Sequence, residues 1–387
     1  MPADKSLESR VLARLAALKA DALIRVMRPP FGVDLSSNDY LSLASDPRLI
    51  AAFTAGAAAD GVGSTGSRLL RGERRIFDAV EAQFASFKGT ERALLLSSGY
   101  LANIAVLTTL PEAGDVMFSD SLNHASLIDA VRLSRASRVV FPHNDVDALG
   151  QLLADTPCDG TRFVVVESLF SMDGDVAPLT RYAELCRRTG AVLIVDEAHA
   201  VGVYGESGSG LIEATGLKAD ALLSINPAGK ALGVGGAFVA GPAWAIEYLV
   251  QRARPFVFST AAPPASAYAL AESLRIIQSE PARRLRLHAL SRCLRVRLLN
   301  AGFPIDLSDS QIVPVRIGEN DAALAVASAL QAEGFDVRAI RPPTVPAGTA
   351  RLRVSLNSSL DEATLDRFVD VLITAAREVG LCSTASS

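Results

Sequence analysis

The chain has 387 residues, more than one compact core usually holds, so two or more domains are expected. Lys and Arg number 38 against 42 Asp and Glu, and a net charge of −4 excludes a general nucleic-acid binder, which needs clustered positive charge. An apolar fraction of 49% and a charged fraction of 21% fit a soluble globular protein. No run of 18 apolar residues points to a transmembrane helix. Asp4, Lys5, Glu8 and Arg10 open the chain with no hydrophobic segment, so neither a secretory signal nor a transit peptide is expected. Cys158, Cys186, Cys293 and Cys382 are scattered and form no C-x-x-C pair, which suits reduced thiols in a cytoplasm rather than a disulfide framework or a metal site.

Residues 7–28 read as an amphipathic helix, with Leu12, Leu15 and Leu18 at helical spacing and Pro29-Pro30 as its stop. Seven short β-rich runs follow, at 93–99, 116–120, 138–142, 162–168, 191–199, 221–226 and 236–241. Most are continuously apolar, as strands covered on both faces are, and the helical stretches between several of them imply a mainly parallel sheet. Residues 265–300 read as helical throughout. Strands at 312–317, 336–340 and 351–356, with helices near 320–333 and 361–379, then make a smaller α+β domain. The terminal STASS is expected to fray.

Gly61, Gly63 and Gly66 stand at the G-x-G-x-x-G spacing, but a helical pattern precedes them where a dinucleotide site needs a strand, so they read as a glycine-rich turn. An NAD-dependent oxidoreductase would rest on that triplet alone. VLIVDEAHA carries more. Asp196 and His199 sit where a buried parallel strand ends, the place where open α/β sheets hold ligands. In isolation Asp196 would be a helix cap or a solvated loop acid. Lys230 lies just past another strand and is flanked by Gly229, Gly233, Gly235 and Gly236, which let the backbone approach a bound ring. A lone lysine is usually a solvated surface group. A desolvated one can form a Schiff base, and an acid for a pyridinium nitrogen plus a lysine for an aldehyde is the pairing pyridoxal phosphate needs. Ser97, Ser98, Gly99 and Tyr100 open a helix after a strand, where backbone N–H groups suit a phosphate or a plain N-cap. His124 could stack on a flat ring, although a lone His more often packs or caps.

Taken together, SSNDYLSL (36–43), SSGYLAN (97–103), DSLNHASLIDA (120–130), FSMDGDVAPL (170–179), VDEAHAVGVYGESGSG (195–210) and GKALGVGGAF (229–238) resemble the α-oxoamine synthase family. These are fold-type I pyridoxal-phosphate transferases that join an amino acid to an acyl thioester. The resemblance implies an α/β fold with a mainly parallel seven-stranded sheet in a large cofactor domain (39–280), an N-terminal helical arm (1–38) and a smaller C-terminal α+β domain (281–387). The strings IRPPTVPAGTARLRVSL (340–356) and HNDVDAL (143–149) resemble the biotin-pathway branch, which condenses L-alanine with a pimeloyl thioester of CoA or a carrier protein; glycine C-acetyltransferase is the alternative branch.

The resemblance also implies residue roles. Lys230 holds pyridoxal 5'-phosphate, Asp196 pairs with its ring nitrogen, His124 stacks on the ring and His199 bonds its phenolic oxygen. Ser98, Gly99 and Tyr100 line the phosphate side, with Ser171 and Glu167 beside the cofactor. Arg353 grips the substrate carboxylate with Asn38 nearby, and Thr344 lies in a loop over the acyl chain. Thr260 reaches the phosphate from the second copy of a homodimer with shared active sites. No nucleic-acid, membrane or metal partner is implied. Two departures stand out. Pro227 replaces the Thr that many members carry three residues before the lysine, so its phosphate contact is lost or supplied by Asn226 or a neighbour. The short N-terminal arm leaves both Arg25 and Arg28 as candidates for the substrate-binding arginine.

Overall fold

The computed structural model describes residues 6–381, so Cys382 and the STASS segment lie outside the described residues. Backbone contacts divide the chain into two compact units, one of residues 38–171 and 175–286, the other of residues up to Ser37, Met172–Gly174 and from Leu287 onward. The arm therefore groups with the C-terminal residues instead of standing apart. The tip of the FSMDGD turn groups there as well.

Among the described residues, twelve strands are numbered in chain order. β1 is Val33–Asp34, β2 Arg92–Leu96, β3 Val116–Asp120, β4 Ser137–Phe141, β5 Arg162–Glu167, β6 Val192–Asp196, β7 Ala221–Pro227, β8 Ala237–Gly241, β9 Ile312–Gly318, β10 Phe335–Asp336, β11 Ala339–Ile340 and β12 Ala350–Ser355. The larger unit is built on a seven-stranded sheet in the order β2-β8-β7-β6-β5-β3-β4. β3 to β7 pair in parallel, and β8 runs antiparallel to both β2 and β7. Six strands thus end at the same sheet edge. The apolar runs explain why these segments are strands: Leu94, Met117, Val165, Ile194, Ile225 and Val239 are at most 2% exposed and form one core cluster. Ring packing ties helix Arg75–Lys88 to the sheet, Phe84 stacking on Phe238 with centroids 4.0 Å apart.

The smaller unit holds the antiparallel sheet β11-β12-β9, the parallel pair β1 and β10, and helices Asn320–Ala332 and Glu362–Glu378. One of its buried cations, Arg295, donates to the carbonyls of Ser310 and Ile312, 3.2 and 2.7 Å away, so its charge lies among oxygens rather than hydrocarbon.

Three expectations change. The N-terminal helix ends at Ala20, not 28: Asp21 caps it and Ala22 takes a left-handed φ of 54°. No residue of that helix is buried, so its leucine stripe gains nothing by extending over this chain. The long helical stretch breaks at Glu280 and Pro281 into Pro264–Ser279 and Ala282–Asn300, because proline cannot continue a helix from within. The run at 336–340 is two strands, β10 and β11. The glycine triplet does follow a helix, Pro47–Asp60, as read.

Candidate active site

At the common sheet edge β6 delivers Asp196. Its carboxylate is buried and held on both oxygens, Oδ2 by the Asn103 side-chain amide at 2.9 Å and Oδ1 by the Ala198 N–H at 2.9 Å. Asn103 sits on helix Gly99–Thr109 and also donates to Ser126 Oγ at 2.8 Å. A buried anion with its lone pairs fixed by donors is oriented for a cationic partner. Beside it, β5 ends in Glu167, in register with Asp196. Burial drives the Glu167 carboxyl well above the usual carboxylate range, and the Asp196 charge pushes the same way. Glu167 Oε1 accepts the His124 N–H at 2.5 Å, which fixes where helix Ala125–Leu133 begins.

His124 caps that helix. Its Nδ1 lies 2.7 Å from Ser126 Oγ and accepts from the Ser126 N–H at 3.2 Å, which leaves Nε2 outward. The residue presents open surface, yet surrounding protein depresses its pKa by desolvation. The Asp196 charge opposes that shift and the Lys230 charge adds to it. Both charges also act on Glu167. His124, Glu167, Asp196 and Lys230 therefore share one electrostatic neighbourhood. Space stands beside the lysine: a Cβ at Gly229 or Gly235 would meet no atom within 4 Å.

His199 is buried, with Nδ1 2.6 Å from the hydroxyl of Tyr40, which donates in turn to Asn38 Oδ1 at 2.9 Å. A hydroxyl has one hydrogen. With it given to Asn38, His199 Nδ1 is the donor to the Tyr40 hydroxyl. Ser171 is half-buried in a turn closed by the Phe170 N–H on the Asp175 carbonyl at 3.0 Å. At the start of helix Gly99–Thr109, Ser98 Oγ accepts from the Leu101 N–H at 3.2 Å and Gly99 opens the helix. Tyr100 reaches away to Asp129, 2.5 Å from its Oδ2. Pro227 lies directly under this helix start, and a Cβ on Gly99 would come within 2.5 Å of its ring. Asn226 is no substitute for the missing threonine, since its amide donates to Ser224 Oγ and the Phe238 carbonyl at 3.0 and 3.4 Å. Thr260 is exposed and lines a crevice with Ser97 and Arg68.

These residues fit pyridoxal phosphate. A fixed buried anion, a half-buried lysine flanked by glycines, an imidazole at a helix cap and a helix N-terminus match its ring nitrogen, aldehyde, ring face and phosphate.

The smaller unit has a cavity of its own, about 540 Å³, lined by Arg25, Arg28, Arg338, Arg341, Gln331 and Thr344 among others. Arg25 donates to Thr344 Oγ1 at 3.3 Å and Arg28 to Gln331 Oε1 at 3.1 Å. Arg353 on β12 is buried and donates to Ser355 Oγ at 2.6 Å. Sequence reasoning missed Tyr40, Asn103 and the cation pair Arg338 and Arg341. A signal for Asn103 existed: it is the one amide in the apolar helix GYLANIAVLTT. Among the described residues, no group of three or more His, Cys, Asp or Glu is placed to hold a metal ion, and no helix is long and apolar enough to cross a membrane.

Comparison with known proteins adds independent findings. Residues 32–372 match the family model "Aminotransferase class I and II". The 8-amino-7-oxononanoate synthase of Anaeromyxobacter dehalogenans is 49% identical over 340 residues, 88% of this chain and 85% of that protein. That of Burkholderia thailandensis is 48% identical over 349 residues, 88% of each chain. Among solved structures, SPT with PLP superposes with a TM-score of 0.92 at 30% identity, covering 98% of this chain and 100% of that one.

Proposed function

The chain belongs to the class I and II aminotransferase family, and from that membership we infer a pyridoxal-phosphate-dependent 8-amino-7-oxononanoate synthase. It condenses L-alanine with a pimeloyl thioester, releasing the thiol and carbon dioxide, in biotin biosynthesis. The observation that carries the reading is the convergence of Lys230, Asp196, His124 and Glu167 at one sheet edge in a chain whose relatives bear that name.

When bound, pyridoxal phosphate supplies the electron sink for the carbanion at alanine Cα. Lys230 Nζ holds the cofactor, takes the Cα proton once displaced and later returns a proton to the same carbon. Asp196 holds a proton on the ring nitrogen, and its hydrogen bonds from Asn103 and Ala198 keep its charge oriented without rearrangement during turnover. His124, its pKa lowered, stacks as a neutral imidazole. His199, oriented through Tyr40 and Asn38, would bond the phenolic oxygen. The amides at Gly99 and Tyr100 receive the phosphate, with Ser98 and Ser171 alongside. Arg353 binds the alanine carboxylate. Arg25, bonded to Thr344, takes the distal carboxylate of the pimeloyl chain.

The enzyme acts as a homodimer, with Thr260 reaching the second copy's phosphate. The exposed Leu7, Leu12, Leu15 and Leu18 support this, since their own chain leaves them uncovered. It works in the cytoplasm, as the free Cys158, Cys186 and Cys293 suit a reducing compartment. The test is product analysis by mass spectrometry, offering alanine or glycine with pimeloyl-CoA or acetyl-CoA. 8-Amino-7-oxononanoate from the first of each is expected. Product from glycine and acetyl-CoA alone would assign the glycine C-acetyltransferase branch instead.

A further inference from the structure

His143 takes no part in the chemistry above, yet it stands between two segments that do. Its Nδ1 lies 2.9 Å from Asp120 Oδ1 and its Nε2 lies 2.7 Å from Asp175 Oδ2. Asp120 ends β3, is fully buried and also accepts the Leu122 N–H at 2.8 Å, so it shapes the loop that leads to His124. Asp175 closes the turn that carries Ser171. Asn144 completes the clamp: its N–H reaches Asp120 Oδ2 at 2.9 Å and its side-chain amide reaches Asp175 Oδ2 at 2.7 Å, from a left-handed φ of 53°. Phe170 meets the imidazole edge-on, centroids 4.4 Å apart.

We propose that His143 is a positioning residue: a doubly protonated imidazolium that ties the loop bearing His124 to the turn bearing Ser171, and so holds two walls of the cofactor site. The assignment of charge follows from valence. Ionised carboxylates only accept, so both ring nitrogens must carry hydrogen. Electrostatics agree: burial opposes the charge, but the hydrogen bonds to Asp120 and Asp175 outweigh it and raise the His143 pKa to about 10. The groups facing it are Asp120, Asp175 and Asn144. Tyr182, on helix Leu179–Thr189, is pushed up from its ordinary range, first by burial and then by the charges of Asp120, Asp145 and Asp175. The folded pKa is raised, so the clamp holds at and below neutral pH and loosens as pH approaches 10. That these segments flank pyridoxal phosphate rests on the function proposed above.

The test has two arms. The chain contains only four histidines, so selective ¹⁵N-histidine labelling with the His143→Gln variant for assignment isolates this ring. Two protonated nitrogens at pH 8 are expected, and one bare nitrogen would overturn the proposal. In the second arm, His143→Gln should speed amide exchange at 120–124 and 170–176 at least tenfold while leaving β6 and β7 unchanged, and weaken pyridoxal phosphate binding by about tenfold. Unchanged exchange in both segments would overturn the clamp. A wild-type protein that takes up no pyridoxal phosphate would overturn the proposed function instead, and the ¹⁵N and exchange arms would still decide the clamp.

Discussion

Lys88 and Glu197 form an ion pair sealed from water, their side chains 3% and 0% exposed. Lys88 Nζ also donates to the Ser209 carbonyl at 2.5 Å, and Glu197 Oε1 accepts the Ile212 N–H at 2.9 Å. Glu197 directly follows Asp196, so the pair fixes the end of β6 to the glycine-rich loop beyond it. Lys88→Met leaves a buried carboxylate without its counter-charge and is expected to cost about 3–5 kcal/mol, read as a lower guanidinium midpoint. The double variant Lys88→Met, Glu197→Leu should lose less than the single one. A single variant as stable as wild type would show that the pair does not hold this junction.

Lys230→Ala should abolish turnover and the visible Schiff-base absorbance together, while the far-ultraviolet circular dichroism stays native. Asp196→Asn keeps the shape and removes the charge. Loss of an electrostatic stabiliser of this kind lowers kcat by about 10²–10³-fold, so a variant within threefold of wild type would remove Asp196 from the site.

Of the four arginines that line the smaller unit's cavity, Arg25 and Arg28 are the candidates for the pimeloyl carboxylate. Arg25 pairs with Thr344 and Arg28 with Gln331. Arg25→Ala should raise KM for pimeloyl-CoA by about 10- to 100-fold, the worth of a lost hydrogen bond to a charged group, with kcat and KM for alanine little changed. Steady-state kinetics with each substrate varied in turn measure this. The same signature in Arg28→Ala alone would reassign the role.

An acid limit is built into the larger unit. Arg48 holds the Asp46 carboxyl far below its usual range, against a burial effect of opposite sign, and Arg48 with Arg283 lowers Glu280 to about 2. Both folded values lie below the ordinary 3.8 and 4.5, so this stabilisation is present above those values and disappears as pH falls towards 2. Urea midpoints should therefore decline from about pH 4.5 downwards. Arg48→Ala should flatten that decline; an equally steep decline in the variant would place the acid sensitivity elsewhere.

Much of this arrangement was legible in the residues. Continuous apolar runs mark strands buried on both faces, and β6 and β7 deliver Asp196 and Lys230 to one edge because parallel strands share a direction. Partners of partners were hidden. Asn103 reads as an ordinary helix residue until the helix is laid against β6, and Tyr40 meets His199 across 159 positions of chain, a closeness no local pattern encodes. His143 could be read only as a branch marker, since its role depends on two acids supplied by different elements. The first helix read too long because its leucine stripe has nothing in this chain to bury against, so periodicity alone could not set its end.

Pro227 and Gly99 are bound into a single choice. The proline ring fills the volume that any side chain at position 99 would need, so glycine is required there for as long as Pro227 stands. On the function proposed above, the phosphate is taken by main-chain amides at this helix start, which no substitution short of proline removes.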